Sequence, residues 1–156
     1  MPRWKLENGR PVVELEFTRD IDGKAVKRGM LAATGGGATS SPFDVILARS
    51  DVREFLAGNA TVTVSLGGAL LGRYPCAWIA GGLPGLPARP LVAVSVPDDH
   101  PLFHRLAADG ADGLAGLRFL DRYHYGNFGH PGEFGIEPLP DAVVATSTAH
   151  TAYEVL

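Results

Sequence analysis

The segment with the most suggestive chemistry is the run of small residues from Gly35 to Ser40, which follows the apolar stretch Met30 to Ala33. A glycine-rich backbone can direct several N–H groups at one anion, so this segment could hold a phosphate. The lysine of a Gly-x4-Gly-Lys-Ser/Thr loop is missing, however, and the following sequence does not predict a long helix. A plain structural turn therefore stays open as the simplest interpretation.

Two further segments follow this turn along the chain. Gly67-Gly68 separates two apolar arms, which predicts a β-hairpin. Leu114-Ala115-Gly116 then precedes Phe119-Leu120. Together with the apolar stretch that ends in Thr34-Gly35, this order of features resembles the retropepsin-like aspartic peptidases. In that family an aspartate would precede the threonine, and this chain has Ala33 there.

The resemblance extends over residues 11–137 and implies a mainly β, retropepsin-like acid-protease fold. Such a fold is a closed or partly open β-barrel with a flap hairpin and one or two short helices. The resemblance also implies a homodimer that acts on extended peptides, because two carboxylates must share one proton and each chain supplies one turn. No metal or other cofactor is implied. The implied catalytic turn is Ala33, Thr34 and Gly35, and the implied substrate-binding residues are Gly36, Gly37, Leu66, Gly67, Gly68, Ala69, Leu114 and Gly116.

Ala33 removes the carboxylate from both subunits of such a dimer. Neither a general base for water nor a general acid for the leaving amine then lies at the expected place, and general acid–base catalysis alone contributes about 10²–10⁴-fold. We therefore expect an aspartic endopeptidase that is inactive as written, whether Ala33 is an engineered replacement or native to a pseudopeptidase. The alternative is a non-catalytic module that binds peptides through main-chain hydrogen bonds. A small-ligand β-barrel is a more distant interpretation.

Composition restricts the class of protein further. The chain has 156 residues, 46% of them apolar, which suits one domain. We place that domain at residues 1–140, with residues 141–156 as a C-terminal tail or dimer-interface strand. The 14 basic residues are outnumbered by 17 acidic ones and do not cluster, which argues against nucleic-acid binding. No apolar run approaches the roughly 18 residues that span a bilayer, and a single cysteine fits a reducing, cytoplasmic location.

Alternation of apolar and polar residues predicts the supporting strands. Val13, Leu15 and Phe17 alternate with glutamates, which is typical of a strand with one solvated face. Asp22-Gly23 predicts the turn that returns the chain toward Met30. Similar patterns predict strands at residues 43–47, 61–66, 74–80 and 91–96.

Helices and loops are expected to be short. Ser50 is the expected N-cap of a helix that ends at Gly58, and a second helix is expected between Asp99 and Gly110. The proline-rich stretch 81–90 predicts a long surface loop, because proline removes backbone donors. Residues 123–128 predict an aromatic loop folded over the core.

Other residues that could do chemistry have simpler interpretations. His100 and His104 have the spacing of a metal-binding pair, but solvated surface histidines are the expected outcome. Cys76 has no candidate base nearby in the sequence, which predicts a buried, inert thiol. Ser40 lacks the Gly-x-Ser-x-Gly setting of a hydrolase nucleophile. Asp112 is followed by glycine without an intervening threonine or serine, which predicts a turn.

Overall fold

The computed structural model describes residues 3–6, 10–32 and 43–138, apart from the side chains of residues 58–61, 69, 117 and 138. The predicted tail, residues 141–156, lies outside the described residues, so the domain boundary at residue 140 stays a prediction. The strands are β1 (Arg3–Lys5), β2 (Val12–Thr18), β3 (Ala25–Ala32), β4 (Val45–Ala48), β5 (Leu56–Leu66), β6 (Gly72–Gly82), β7 (Arg89–Val96), β8 (Gly113–Ala115), β9 (Tyr123–Gly126) and β10 (Glu133–Pro138). The helices are α1 (Arg49–Phe55), α2 (Pro101–Ala108) and α3 (Leu117–Leu120), with a 3₁₀ turn at Gly68–Leu70.

Most of the strands form one closed barrel. Its strands follow the order β2-β3-β8-β4-β7-β6, and β2 closes the ring by pairing with β6 through Glu16–Gly82 and Phe17–Gly81. β5 extends the sheet beyond β6 and pairs with no other described strand. The expected mainly β fold with a closed barrel is therefore confirmed.

Two apolar clusters lie on opposite faces of the barrel sheet. Val13, Leu15 and Phe17 of β2 are buried in the cluster that fills the barrel, as the alternation predicts. The outward side chains of β6 and β7 join a second cluster, which α2 covers with Leu102 and Leu106. A separate sheet of order β1-β10-β9 packs onto the barrel cluster through Phe134 and Ile136, among others.

The first helix begins and ends earlier than the sequence predicts. Its N-cap is Ala48 and its first residue is Arg49, so the prediction that Ser50 caps the helix is wrong. The backbone N–H of Ser50 instead donates to a carboxylate oxygen of Asp98, 3.0 Å away on another part of the chain. β5 follows the helix directly at Leu56, so Gly58 does not end it. The carboxylate of Asp98 therefore caps the helix in place of the Ser50 side chain.

The loops also differ from the sequence prediction. β6 continues to Gly82 and β7 begins at Arg89, with Gly81 paired to Arg89, so the expected loop over 81–90 shrinks to residues 83–88. The hairpin after β5 turns through the 3₁₀ segment Gly68–Leu70 and is longer than a two-residue glycine turn. The expected aromatic loop begins as strand β9, because its backbone pairs with β10.

Gly113 of β8 supplies a test of how closely the barrel is packed. A methyl group there would lie 2.9 Å from Leu47 Cδ2 and 2.9 Å from Met30 Cε, and closer still to the carbonyl oxygen of Ile46. We expect Gly113→Ala to lower the free energy of unfolding by about 1–3 kcal/mol, the usual cost of overpacking. Urea denaturation followed by circular dichroism measures it.

The matched control is Gly67→Ala, since nothing lies within 4 Å of the methyl position at Gly67 and its φ is −113°. This variant should stay within about 0.5 kcal/mol of the parent. Equal losses for both variants would contradict the close approach of β8 to its neighbours.

Candidate functional site

The two described flanks of residues 33–42 meet on the same short strand, β8. Ala32, the last residue of β3, pairs in parallel with Ala115. Val45, the first residue of β4, pairs with Ala115 from the other side in antiparallel register. The next amide, Gly116 N–H, donates to the carbonyl oxygen of Asp44 at 2.9 Å. The described residues on both sides of 33–42 are therefore paired with one residue of β8.

Ala33, Thr34, Gly35, Gly36 and Gly37 lie outside the described residues. Their roles as a catalytic turn and its substrate-binding continuation therefore stay predictions. Both points at which the chain enters and leaves their segment are nevertheless fixed by backbone pairing.

Gly116 lies beside the residues that follow position 42. A methyl group on it would lie 3.4 Å from a ring carbon of Phe43 and 3.5 Å from the Asp44 carbonyl oxygen, which are ordinary contact distances. Its amide donates a hydrogen bond to that carbonyl oxygen. The predicted substrate-binding role of Gly116 stays a prediction.

Asp44 is the buried charge that secures this flank, and its side chain is fully buried. One carboxylate oxygen accepts from the Val92 backbone N–H at 2.9 Å. The other accepts from Nη2 of Arg122 at 3.0 Å, with Nε of Arg118 at 3.7 Å. The Asp44 N–H donates in turn to the Val92 carbonyl oxygen at 2.8 Å. Asp44 therefore connects the end of the segment to β7, to α3 and to the turn after it.

Sequence reasoning missed Asp44 and Arg122. Asp44 stands immediately before an apolar strand, where an aspartate is also an ordinary turn residue. The two residues are 78 positions apart in the chain. The fold brings the two charges together, with Phe119 and Leu120 of α3 buried in the same cluster as Val45 of β4. A single sequence carries no signal for that proximity.

The predicted substrate-binding residues Leu66 and Leu114 are both partly buried. They pack against the same apolar cluster, whose members include Leu31, Ile46 and Tyr74. Leu114 belongs to β8, beside the flank of residue 33, and Leu66 is the last residue of β5 before the hairpin turn. Both residues thus pack against one cluster, which α2 covers with Leu102 and Leu106.

The hairpin turn itself is exposed. Gly67 and Gly68 are both exposed, and Gly68 has a φ of +63°, a conformation that favours glycine. Ala69 lies in the 3₁₀ turn, and its side chain is not described. Leu71 is 79% exposed beside it, an unusual position for a leucine. This turn therefore projects apolar surface into solvent.

The other candidate groups take structural roles. Cys76 is buried, and burial raises the pKa of its thiol, as expected for an inert cysteine. Among the described residues, no group of three or more His, Cys, Asp or Glu side chains could hold a metal ion. The side chain of Asp112 accepts from the Gly29 N–H at 3.0 Å, which agrees with a structural aspartate. None of the described helices is long and apolar enough to cross a membrane.

Comparison with known proteins gives one structural likeness. No protein-family model matches the chain, and no curated protein matches it. The chain is similar to a crystal structure of a retropepsin-like aspartic protease from Rickettsia conorii, at 17% sequence identity and a TM-score of 0.38. The match covers 80% of this chain and 90% of that chain.

The buried charge at Asp44 supplies a test of the site's support. Asp44→Ala leaves the Arg122 guanidinium without its carboxylate, and breaking a buried ion pair costs about 3–5 kcal/mol. We expect a loss of that size in the free energy of unfolding, measured by urea denaturation.

Glu14→Ala is the matched control, because the Glu14–Lys27 ion pair is exposed, with side chains 44% and 62% accessible. Exposed pairs contribute at most about 1 kcal/mol. A loss at Asp44 no larger than the loss at Glu14 would show that the buried pair does not secure the flank.

Proposed function

We propose that this chain forms a homodimer of retropepsin type that binds extended peptide segments and does not cut them. The observation that carries this proposal is the double pairing of Ala115. It brings the residue before position 33 and the residues after position 42 to one point of the barrel. A segment rooted in this way can present one residue of each chain toward a second copy.

Ala33 accounts for the expected lack of cleavage. With an aspartate at this position in both copies, one carboxylate would take a proton from the water that attacks the peptide carbonyl carbon. The other carboxyl group would donate a proton as the C–N bond breaks. The methyl group of alanine can neither accept nor donate a proton, and it offers the water no hydrogen bond.

Peptide binding does not need that carboxylate. The outer edge of β5 pairs with no other described strand, so its N–H and C=O groups can pair with an extended peptide. Leu66, at the end of β5, is partly buried against an apolar cluster. A peptide paired with the edge of β5 would gain main-chain hydrogen bonds.

Restoring the carboxylate tests the proposal. We expect Ala33→Asp to cut members of an extended-peptide library, at least about 10²-fold faster than the parent chain. Mass spectrometry from acidic to neutral pH reads the products, and a statine-containing peptide should inhibit the reaction. Ala33→Asn is the matched control, because it has the same shape without an acid and should stay inactive.

Peptide binding separates the remaining interpretations. If Ala33→Asp cuts nothing while the parent chain dimerises and binds library peptides, the fold is a binding module and the peptidase ancestry of the site is wrong. If the chain is a monomer in solution and binds no peptide, both the peptidase interpretation and the binding-module interpretation are wrong. A small-ligand barrel then gains support.

A further inference from the structure

His100 is the N-cap residue of α2, and its side chain takes part in the cap. Nδ1 of His100 accepts a hydrogen bond from the Leu102 backbone N–H at 3.0 Å. Asparagine, aspartate, serine and threonine are the usual residues for this function, because their oxygens accept at any ordinary pH. An imidazole nitrogen accepts only while it carries no proton. The start of α2 therefore depends on neutral His100.

The same imidazole contacts the hairpin. The rings of His100 and Tyr74 lie 6.4 Å apart between centroids at 74°, an edge-to-face arrangement. Tyr74 is buried near the start of β6, pairs with Val64 of β5, and donates from its hydroxyl to the Leu71 carbonyl oxygen at 3.5 Å. One side chain thus touches both α2 and the base of the hairpin.

Helix α2 and the hairpin also share one apolar cluster. Leu102 and Leu106 are the buried residues of α2, and both belong to the cluster that contains Tyr74. Val64 and Leu66 of β5 pack against it. Loosening the first turn of α2 would remove Leu102 from beneath the hairpin.

We propose that protonation of His100 releases the first turn of α2 and loosens the hairpin, so that the hairpin opens more readily in acid. Imidazole is the side chain that ordinarily changes charge between pH 5 and 8. A proton on Nδ1 would turn this nitrogen into a donor that faces the Leu102 N–H, so the hydrogen bond between them would be lost. A positive charge at a helix N-terminus is also unfavourable. Stability conferred by the cap is therefore present at neutral pH and lost as the pH falls.

Charged groups of both signs lie near the start of α2. Asp98 and Asp99 precede His100 in the chain, and they line one pocket together with Arg49 and Arg53 of α1. Hydrogen bonds from the Ser50 side chain and from the Ser50 backbone N–H lower the pKa of the Asp98 carboxyl group. On α2 itself, His104 and Arg105 follow in the next turn, and from β6 the ring of Tyr74 faces His100.

Amide hydrogen exchange measures the proposed loosening directly. We expect protection factors at Leu102 and Tyr74, corrected for the intrinsic rate, to fall about 5-fold between pH 7.5 and pH 5.5, a change typical of losing one cap. In His100→Asn the same amides should keep their protection, because asparagine caps the helix without titrating. His104→Asn, an exposed histidine one turn along, should behave like the parent chain.

Three results would overturn the proposal: no fall in the parent chain, an equal fall in His100→Asn, or a fall at Leu102 with none at Tyr74. The last would separate the helix from the hairpin. His100→Ser is the second variant if the asparagine variant does not fold, with the same expectation. None of these readouts involves peptide binding, so the proposal stands or fails independently of the function proposed above.

Discussion

The pairing of β8 with two neighbours at once is the constraint on which the site depends. Ala115 lies between Ala32 of β3, which is parallel to it, and Val45 of β4, which is antiparallel to it. Strands β3, β8 and β4 are therefore adjacent at this residue. A methyl group on Gly113 would lie 2.9 Å from Leu47 Cδ2 and 2.9 Å from Met30 Cε, so β8 leaves no room for a side chain at that position. Backbone pairing thus fixes the described residues on both sides of 33–42.

The buried carboxylate of Asp44 favours one arrangement of these strands, and its burial costs free energy of desolvation. A charge that is fully out of water must be compensated by close partners. Here the Val92 N–H and the Arg122 guanidinium supply that compensation from β7 and from the turn after α3. The pair can form only when these elements have docked around β4. Ion pairing therefore selects one arrangement of the barrel end, while the apolar clusters supply most of the stabilisation.

Local patterns in the sequence were sufficient for the mainly β class, for the alternation of β2 and for the second helix. They failed where a residue far away in the sequence makes the interaction that a local residue was expected to make. Asp98 caps α1 in place of Ser50, and pairing between β6 and β7 consumes most of the proline-containing stretch that predicts a long loop. Pro90 pairs with Ala80 near the start of β7, before the pairing of β7 with β4 begins at Ala93, and proline is tolerated at such a strand start.

The candidate site was predictable in part, for a similar reason. The order of Thr34-Gly35, the hairpin glycines and Leu114-Gly116 is visible in the sequence, and the structure brings Leu66 and Leu114 to one apolar cluster. Asp44, Arg122 and the cap at His100 were not predicted to act, because each depends on a partner whose position only the fold defines. Single charged residues in a sequence do not reveal which charge they will meet.

In the proposed dimer, position 33 of one copy lies opposite position 33 of the other. Oxidative cross-linking of Ala33→Cys tests this arrangement, because a disulfide needs Cα atoms within about 4.4–6.8 Å of each other. The parent chain is the background control, since its Cys76 is buried, and Ile21→Cys is the control for random collision, since Ile21 is 87% exposed in a turn. We expect Ala33→Cys alone to form a disulfide-linked dimer rapidly and in high yield. Cross-linking no faster than that of Ile21→Cys would contradict the paired site.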